Sequence, residues 1–179
     1  MHLSENCVTF EPEIEGIHTD TILRIHGYKE PNKVKPAIRS IAERMLVEGM
    51  SLFDPIIYFR KMQIKSVTES LLELEHESVT FTNPEFGDTL KECRHIVAFL
   101  LTLGYRPDHR SAQLQANDDL LEAVFLETAS WLAIERATRS FVEQIRRITA
   151  SDNCRITRRL APGYKDWPLS DQKKIFSLF

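Results

Sequence analysis

Apolar and polar positions fall into short blocks along the chain, some at helical spacing and some alternating with a period of two. Residues 8–14 read as a short edge strand. A first helix is expected from His18 or Thr19 to His26, with Gly27 ending it. Pro36 stands at the front of a second helix, where its fixed φ and missing donor do no harm. That helix repeats Ile38, Ile41, Ala42, Met45 and Leu46 on one face. Residues 56–64 (IIYFRKMQI) read as a strand, as do residues 70–75, where Leu72 and Leu74 alternate with Glu73 and Glu75. Residues 86–93 predict a short helix. The unbroken apolar run at residues 95–102 (HIVAFLLT) fits a fully buried central strand. Gly104 and Pro107 close it, and residues 108–115 predict another short helix.

The longest element starts at the acidic cap Asn117-Asp118-Asp119 and runs to about Thr149. Residues 154–158 read as a strand, residues 159–167 as an irregular loop, and a last helix from Pro168 or Ser170 carries Ile175, Phe176 and Leu178. Segregated strands and helices, without repeats or Gly/Ser linkers, predict an α+β fold. The length suggests one domain over residues 1–179.

At about 100° per residue, Leu121, Val124, Phe125, Thr128, Trp131, Leu132, Val142 and Ile145 form an apolar stripe on the long helix. Glu135 falls inside it. A carboxylate on a buried face is costly unless paired. Three readings stay open: Glu135 meets a ligand in a cleft, it pairs with a downstream arginine, or it snorkels to solvent.

The chain is 42% hydrophobic and 27% charged, the range of ordinary globular proteins. A net charge of −3 gives no reason to expect nucleic acid as a partner. From Arg136 to Lys165, however, Arg136, Arg139, Arg146, Arg147, Arg155, Arg158, Arg159 and Lys165 face only Glu143 and Asp152. This is either a site for an anionic ligand or acidic partner, or a solvated basic face. Cys7, Cys93 and Cys154 show no zinc or CxxC spacing, and the six histidines (His2, His18, His26, His76, His95, His109) show no paired-ligand spacing. The N-terminus lacks the basic start and apolar core of a signal peptide, and no apolar run is long enough to span a bilayer. No membrane is expected as a partner, and the expected location is cytoplasmic.

The loop RRLAPGYKDWPL holds the candidate chemistry. Pro162 stiffens the backbone and Gly163 permits positive φ or close approach. Arg159 offers a planar fork for a carboxylate, and Tyr164 a ring and a hydroxyl. Such a loop suits a zwitterionic amino acid carrying an aromatic or heterocyclic group; it is also what an ordinary Pro-Gly turn looks like.

The segment RRLAPGYKDWPLSDQKKIFSLF resembles the R-x-x-x-G-Y region of the activation domain of cobalamin-dependent methionine synthase. It is still more similar to small stand-alone relatives with an R-x-S-P-G-Y-G-D-W-P-L-x-x-Q stretch. TILRIHGY, LKEC at residues 90–93, FLLTLG at residues 99–104 and the helix from Asp118 fall in the same order, so the resemblance covers roughly residues 14 to 179. It implies a mixed, mainly antiparallel sheet with a long helix and several shorter ones. It also implies S-adenosylmethionine as ligand: Arg159 on the methionine carboxylate, the backbone of Leu160, Ala161 and Gly163 on the adenine and amino acid, Tyr164 near the methyl donor, and Glu135 as the glutamate of the long helix. Where the family has an early aspartate for the ligand's amino group this chain has His18, with Asp20 the nearest carboxylate. Relatives continue into a T-E-S and M-x-P-x-x-S strand region that is not found before Phe179.

The implied partner is a cobalamin-binding protein or domain of a methyltransferase, with flavodoxin or another reductant supplying an electron and S-adenosylmethionine a methyl group. The module's share is positioning that methyl group, a proximity effect needing no strong acid or base. The alternative is an interaction or assembly protein of the same fold that no longer binds the ligand. A doubly wound methyltransferase does not fit, since no Gly-rich turn follows a first strand.

Overall fold

The structure is a computed structural model and describes residues 3–75 and 77–179. His2 and His76 lie outside the described residues. The elements in chain order are β1 (Val8–Phe10), α1 (Thr19–Ile25), α2 (Pro36–Leu52), β2 (Ile56–Val67), β3 (Leu71–Leu74), β4 (Thr80–Thr82), α3 (Phe86–Leu90), β5 (His95–Thr102), α4 (Arg106–Ala116), α5 (Leu120–Ser151) and α6 (Gln172–Phe176). Short 3-10 turns occupy Pro31–Lys33 and Leu169–Asp171.

The chain forms two compact units. A helical unit comprises Glu11–Ile57 and Leu101–Val142; a sheet unit comprises the N-terminal stretch through Phe10, Tyr58–Leu100 and Glu143–Phe179.

In the helical unit α1 buries Ile22 and Leu23, and α2 buries Ala42, Met45 and Gly49. Pro36 occupies the first turn of α2 as its missing donor allows. The core joins these residues to Phe53, Leu103, Leu114, Phe125, Leu126, Ala129 and Ala133. The expected stripe on α5 is therefore rotated. Ala129, Ala133 and Ala137 are fully buried, whereas Trp131 is 53% exposed and Val124 is also exposed. Small side chains let neighbouring elements approach this face closely, so the alanines share the buried face with Phe125, Leu126 and Phe141.

In the sheet unit β2 is the shared strand: β1, β3 and β5 pair with it, and β4 pairs with β3. β2–β3 and β3–β4 are antiparallel. Leu72 sits opposite Phe81, and both are buried. The alternation expected for Leu72 and Leu74 holds, with a register shift between Ile64 and Ser66. β4, a three-residue strand, was not expected. β5 has its expected bounds but not its expected burial: Ala98 is its one buried residue. Its apolar run marks strand propensity rather than enclosure on both faces. Residues 154–158 form no strand; they run as irregular chain into the loop. The core of the sheet unit gathers Met62, Leu72, Leu74, Phe81, Phe86, Leu90, Ala98, Trp167 and Leu178.

Candidate ligand-binding site

The loop after α5 is held from below by Trp167. Its ring packs edge-on against Phe86 (5.2 Å between centroids) and Phe81 (5.9 Å). Its indole N–H donates to Asp171 Oδ2 at 3.0 Å, and Lys174 Nζ donates to the other oxygen of Asp171 at 2.9 Å. Above this anchor the backbone bonds to itself. Gly163 N–H donates to Trp167 O at 2.9 Å, Trp167 N–H to Tyr164 O at 3.2 Å, and Tyr164 N–H to Ala161 O at 3.3 Å. Gly163 has φ +92°, and a Cβ there would lie 2.9 Å from Leu169 Cδ1. The glycine is what lets the chain turn so tightly. Leu160 packs on the sheet-unit core.

Four of the expected residues, Arg159, Leu160, Ala161 and Tyr164, line a cleft of about 170 Å³ in the sheet unit. Asn83, Glu85, Arg158 and Lys165 complete its wall. Gly163 shapes the turn rather than the lining.

Asn83 and Glu85 come from the turn between β4 and α3. Asn83 is buried; its N–H donates to Ser70 O at 2.7 Å, and its Oδ1 accepts from Glu85 N–H at 2.9 Å. Gly87 N–H donates to Glu69 O at 3.0 Å, and an added Cβ there would meet Glu69 Cα at 2.8 Å. That close approach fixes α3, and with it Glu85, against the β2–β3 turn. Arg158 Nη2 lies 2.8 Å from Glu85 Oε1, and Lys165 Nζ pairs with the same oxygen. The Arg158 guanidinium, and after it the Lys165 ammonium, hold the Glu85 carboxyl below its ordinary value of 4.5.

Asn83 and Glu85 belong to no motif in the sequence, and Arg158 and Lys165 stand out there only as part of a basic stretch. The one local hint was the Asn83-Pro84-Glu85 turn before an apolar residue.

Asp20 and Glu135 belong to the helical unit. Asp20 lies in the first turn of α1 and lines another cleft, of about 410 Å³, with His18, Thr19, Thr21, Arg24, Arg39 and Glu43. Its Oδ1 accepts from Arg39 Nη2 at 2.9 Å, and the same nitrogen donates to Pro31 O at 2.9 Å. His18 is the N-cap residue of α1, with no side-chain capping bond. Glu135 is half-buried on α5, on the flank it shares with Val124 and Trp131. The apolar enclosure expected around it is not what the helix presents, because the buried face centres on the alanines.

Among the described residues no group of three or more His, Cys, Asp or Glu side chains is placed to hold a metal ion. Cys7, Cys93 and Cys154 are free thiols. His26 Nε2 bonds Thr128 Oγ1 at 2.6 Å, and its ring meets Phe125 edge-on. No helix among the described residues is long and apolar enough to cross a membrane.

No protein-family model matches the chain. No curated protein matches it. Among solved structures it is similar to the MetH reactivation domain bound to AdoHcy, with a TM-score of 0.56 and 14% sequence identity over 98% of this chain and 70% of that one. The likeness is one of fold. The expected α+β architecture, with a mainly antiparallel sheet and a long helix, is that of the reactivation domain.

Proposed function

We propose that the chain binds S-adenosylmethionine through the 158–165 loop and supports reductive methylation of a cobalamin held by a partner methyltransferase. The observation that carries this reading is the cleft itself. The loop singled out from sequence folds into its wall, on a fold shared with a domain solved with AdoHcy, the molecule S-adenosylmethionine becomes when it gives up its methyl group. The donor set fits such a ligand. Arg159 supplies a fork for the α-carboxylate. Leu160 and Ala161 supply backbone and apolar surface. Tyr164, 65% exposed, supplies an aromatic face at the rim.

At about 170 Å³ the cleft is smaller than the ~300–1,000 Å³ of pockets that enclose a whole drug-sized ligand. It takes one end of the molecule. The charged lining selects the amino-acid end, and the nucleoside extends beyond the cleft. When bound, the ligand supplies a sulfonium methyl group to a reduced corrinoid, with the electron coming from flavodoxin or another reductant. The chain's own part is to grip the charged tail and orient the methyl group, which is catalysis by proximity. The partner is a cobalamin-binding protein or domain, and the chain works in the cytoplasm.

The small cleft and the exposed Tyr164 favour a second reading, an interaction or assembly protein of the same fold without the ligand. Isothermal titration of the intact chain with S-adenosylmethionine separates the two. Saturable heat that is abolished by excess S-adenosylhomocysteine supports the first. A folded protein giving no heat at millimolar ligand supports the second.

A further inference from the structure

We infer that Glu85 is a ligand-binding residue of the same cleft, accepting the α-ammonium group of an amino-acid-terminated ligand through Oε2. This rests on the proposed ligand reading and adds to it a carboxylate from the β4–α3 turn.

Three observations converge on it. Glu85 lines the cleft beside the loop arginines. Its side chain is only 20% exposed, yet it is held ionised by two cations. Both cations close on one oxygen: Arg158 Nη2 and Lys165 Nζ meet at Oε1. A carboxylate so arranged keeps its full charge while leaving its second oxygen to a further donor. Its backbone is fixed as well, through Asn83 Oδ1 and the close approach of Gly87 to Glu69.

The cleft thus carries positive charge along the 158–165 loop and one negative charge on the facing turn. That is the complement of a free α-amino acid, whose carboxylate and ammonium are separated by a single carbon. A nucleotide phosphate would find Glu85 repulsive, and a plain carboxylate would bring it no donor of its own. The pattern therefore selects zwitterionic ligands from other anions, which a basic loop alone would not do.

A double-mutant cycle in the intact chain tests this. The two ligands are S-adenosylhomocysteine and its analogue lacking the α-amino group. Wild-type protein should bind the amino ligand about 10-fold or more tightly than the des-amino one, the scale of a charged hydrogen bond. Glu85→Gln should erase most of that preference, the amino ligand losing far more affinity than the des-amino one. An equal loss for both ligands in Glu85→Gln would mean that Glu85 only braces the loop, and would overturn the inference. Equal affinities of wild-type protein for the two ligands would overturn it without any variant, so a misfolded variant does not shelter it. Wild-type protein that binds neither ligand sinks the proposed function itself.

Discussion

Trp167 and Asp171 are joined by an indole N–H···carboxylate bond of 3.0 Å in which both side chains are buried. The bond spans one helical turn of sequence and ties the end of the 158–165 loop to the start of the last helical segment. Trp167→Phe keeps most of the packing on Phe81 and Phe86 but removes the donor from a buried acceptor. It should cost about 1–3 kcal/mol in urea unfolding. Trp167→Ala should cost more, about 3–5 kcal/mol. Equal stability of Trp167→Phe and wild type would show that the bond does not hold the loop down.

Arg159→Ala should weaken S-adenosylmethionine binding by about 2 kcal/mol, the range for a charge-assisted hydrogen bond. Titration calorimetry reads this directly. Unchanged affinity would remove Arg159 from the carboxylate role.

Gly163→Ala places a side chain where φ is +92° and where Leu169 Cδ1 stands 2.9 Å away. A loss of about 1–3 kcal/mol is expected from the backbone strain. Because Leu169 can swing aside, the steric share should be recoverable. Gly163→Ala combined with Leu169→Ala should then be less impaired than the two single costs added together. Strict additivity would refute a clash.

Glu85 also predicts an acid dependence. Its carboxyl titrates lower in the folded chain than the ordinary 4.5, because Arg158 and Lys165 hold it ionised. Its contribution to stability is therefore fully present above 4.5 and is lost as pH falls through the lowered value. Glu85→Gln should flatten that acid limb and leave the difference from wild type largest near neutral pH. Urea midpoints across the acid range measure it. Parallel curves for the two proteins would show that Glu85 contributes nothing to the limb.

Ala133→Leu should destabilise the helical unit by about 1–3 kcal/mol, since Ala133 is fully enclosed in its core. Trp131→Ala, on an exposed position of the same helix, should change stability much less. The reverse ranking would restore the stripe read from hydrophobicity.

That last pair shows what the sequence revealed and what it hid. Helix starts were legible wherever local chemistry sets them, as at Thr19, Pro36 and the acid-capped long helix. The alternation of Leu72 and Leu74 marked β3 for the same reason. The buried face of α5 was legible at Phe125, Thr128 and Ile145 but not in its centre, because Ala129, Ala133 and Ala137 gain burial from what packs on them, and periodicity weighted by bulk adds Trp131 and Val124 instead. β4 was missed because three residues with one inward phenylalanine carry too little pattern. The loop half of the cleft was legible through its Pro-Gly bend and its arginines. The Glu85 half was not, because residues 85 and 158 meet only through the fold.

The chain's two tryptophans fall one to each unit, Trp167 enclosed in the sheet unit and Trp131 largely bare on the helical one. Nature has thus installed a pair of optical probes with opposite solvent access. Iodide should quench the red-shifted emission and spare the blue, and a ligand that tightens the Trp167 anchor should register in the spared component alone.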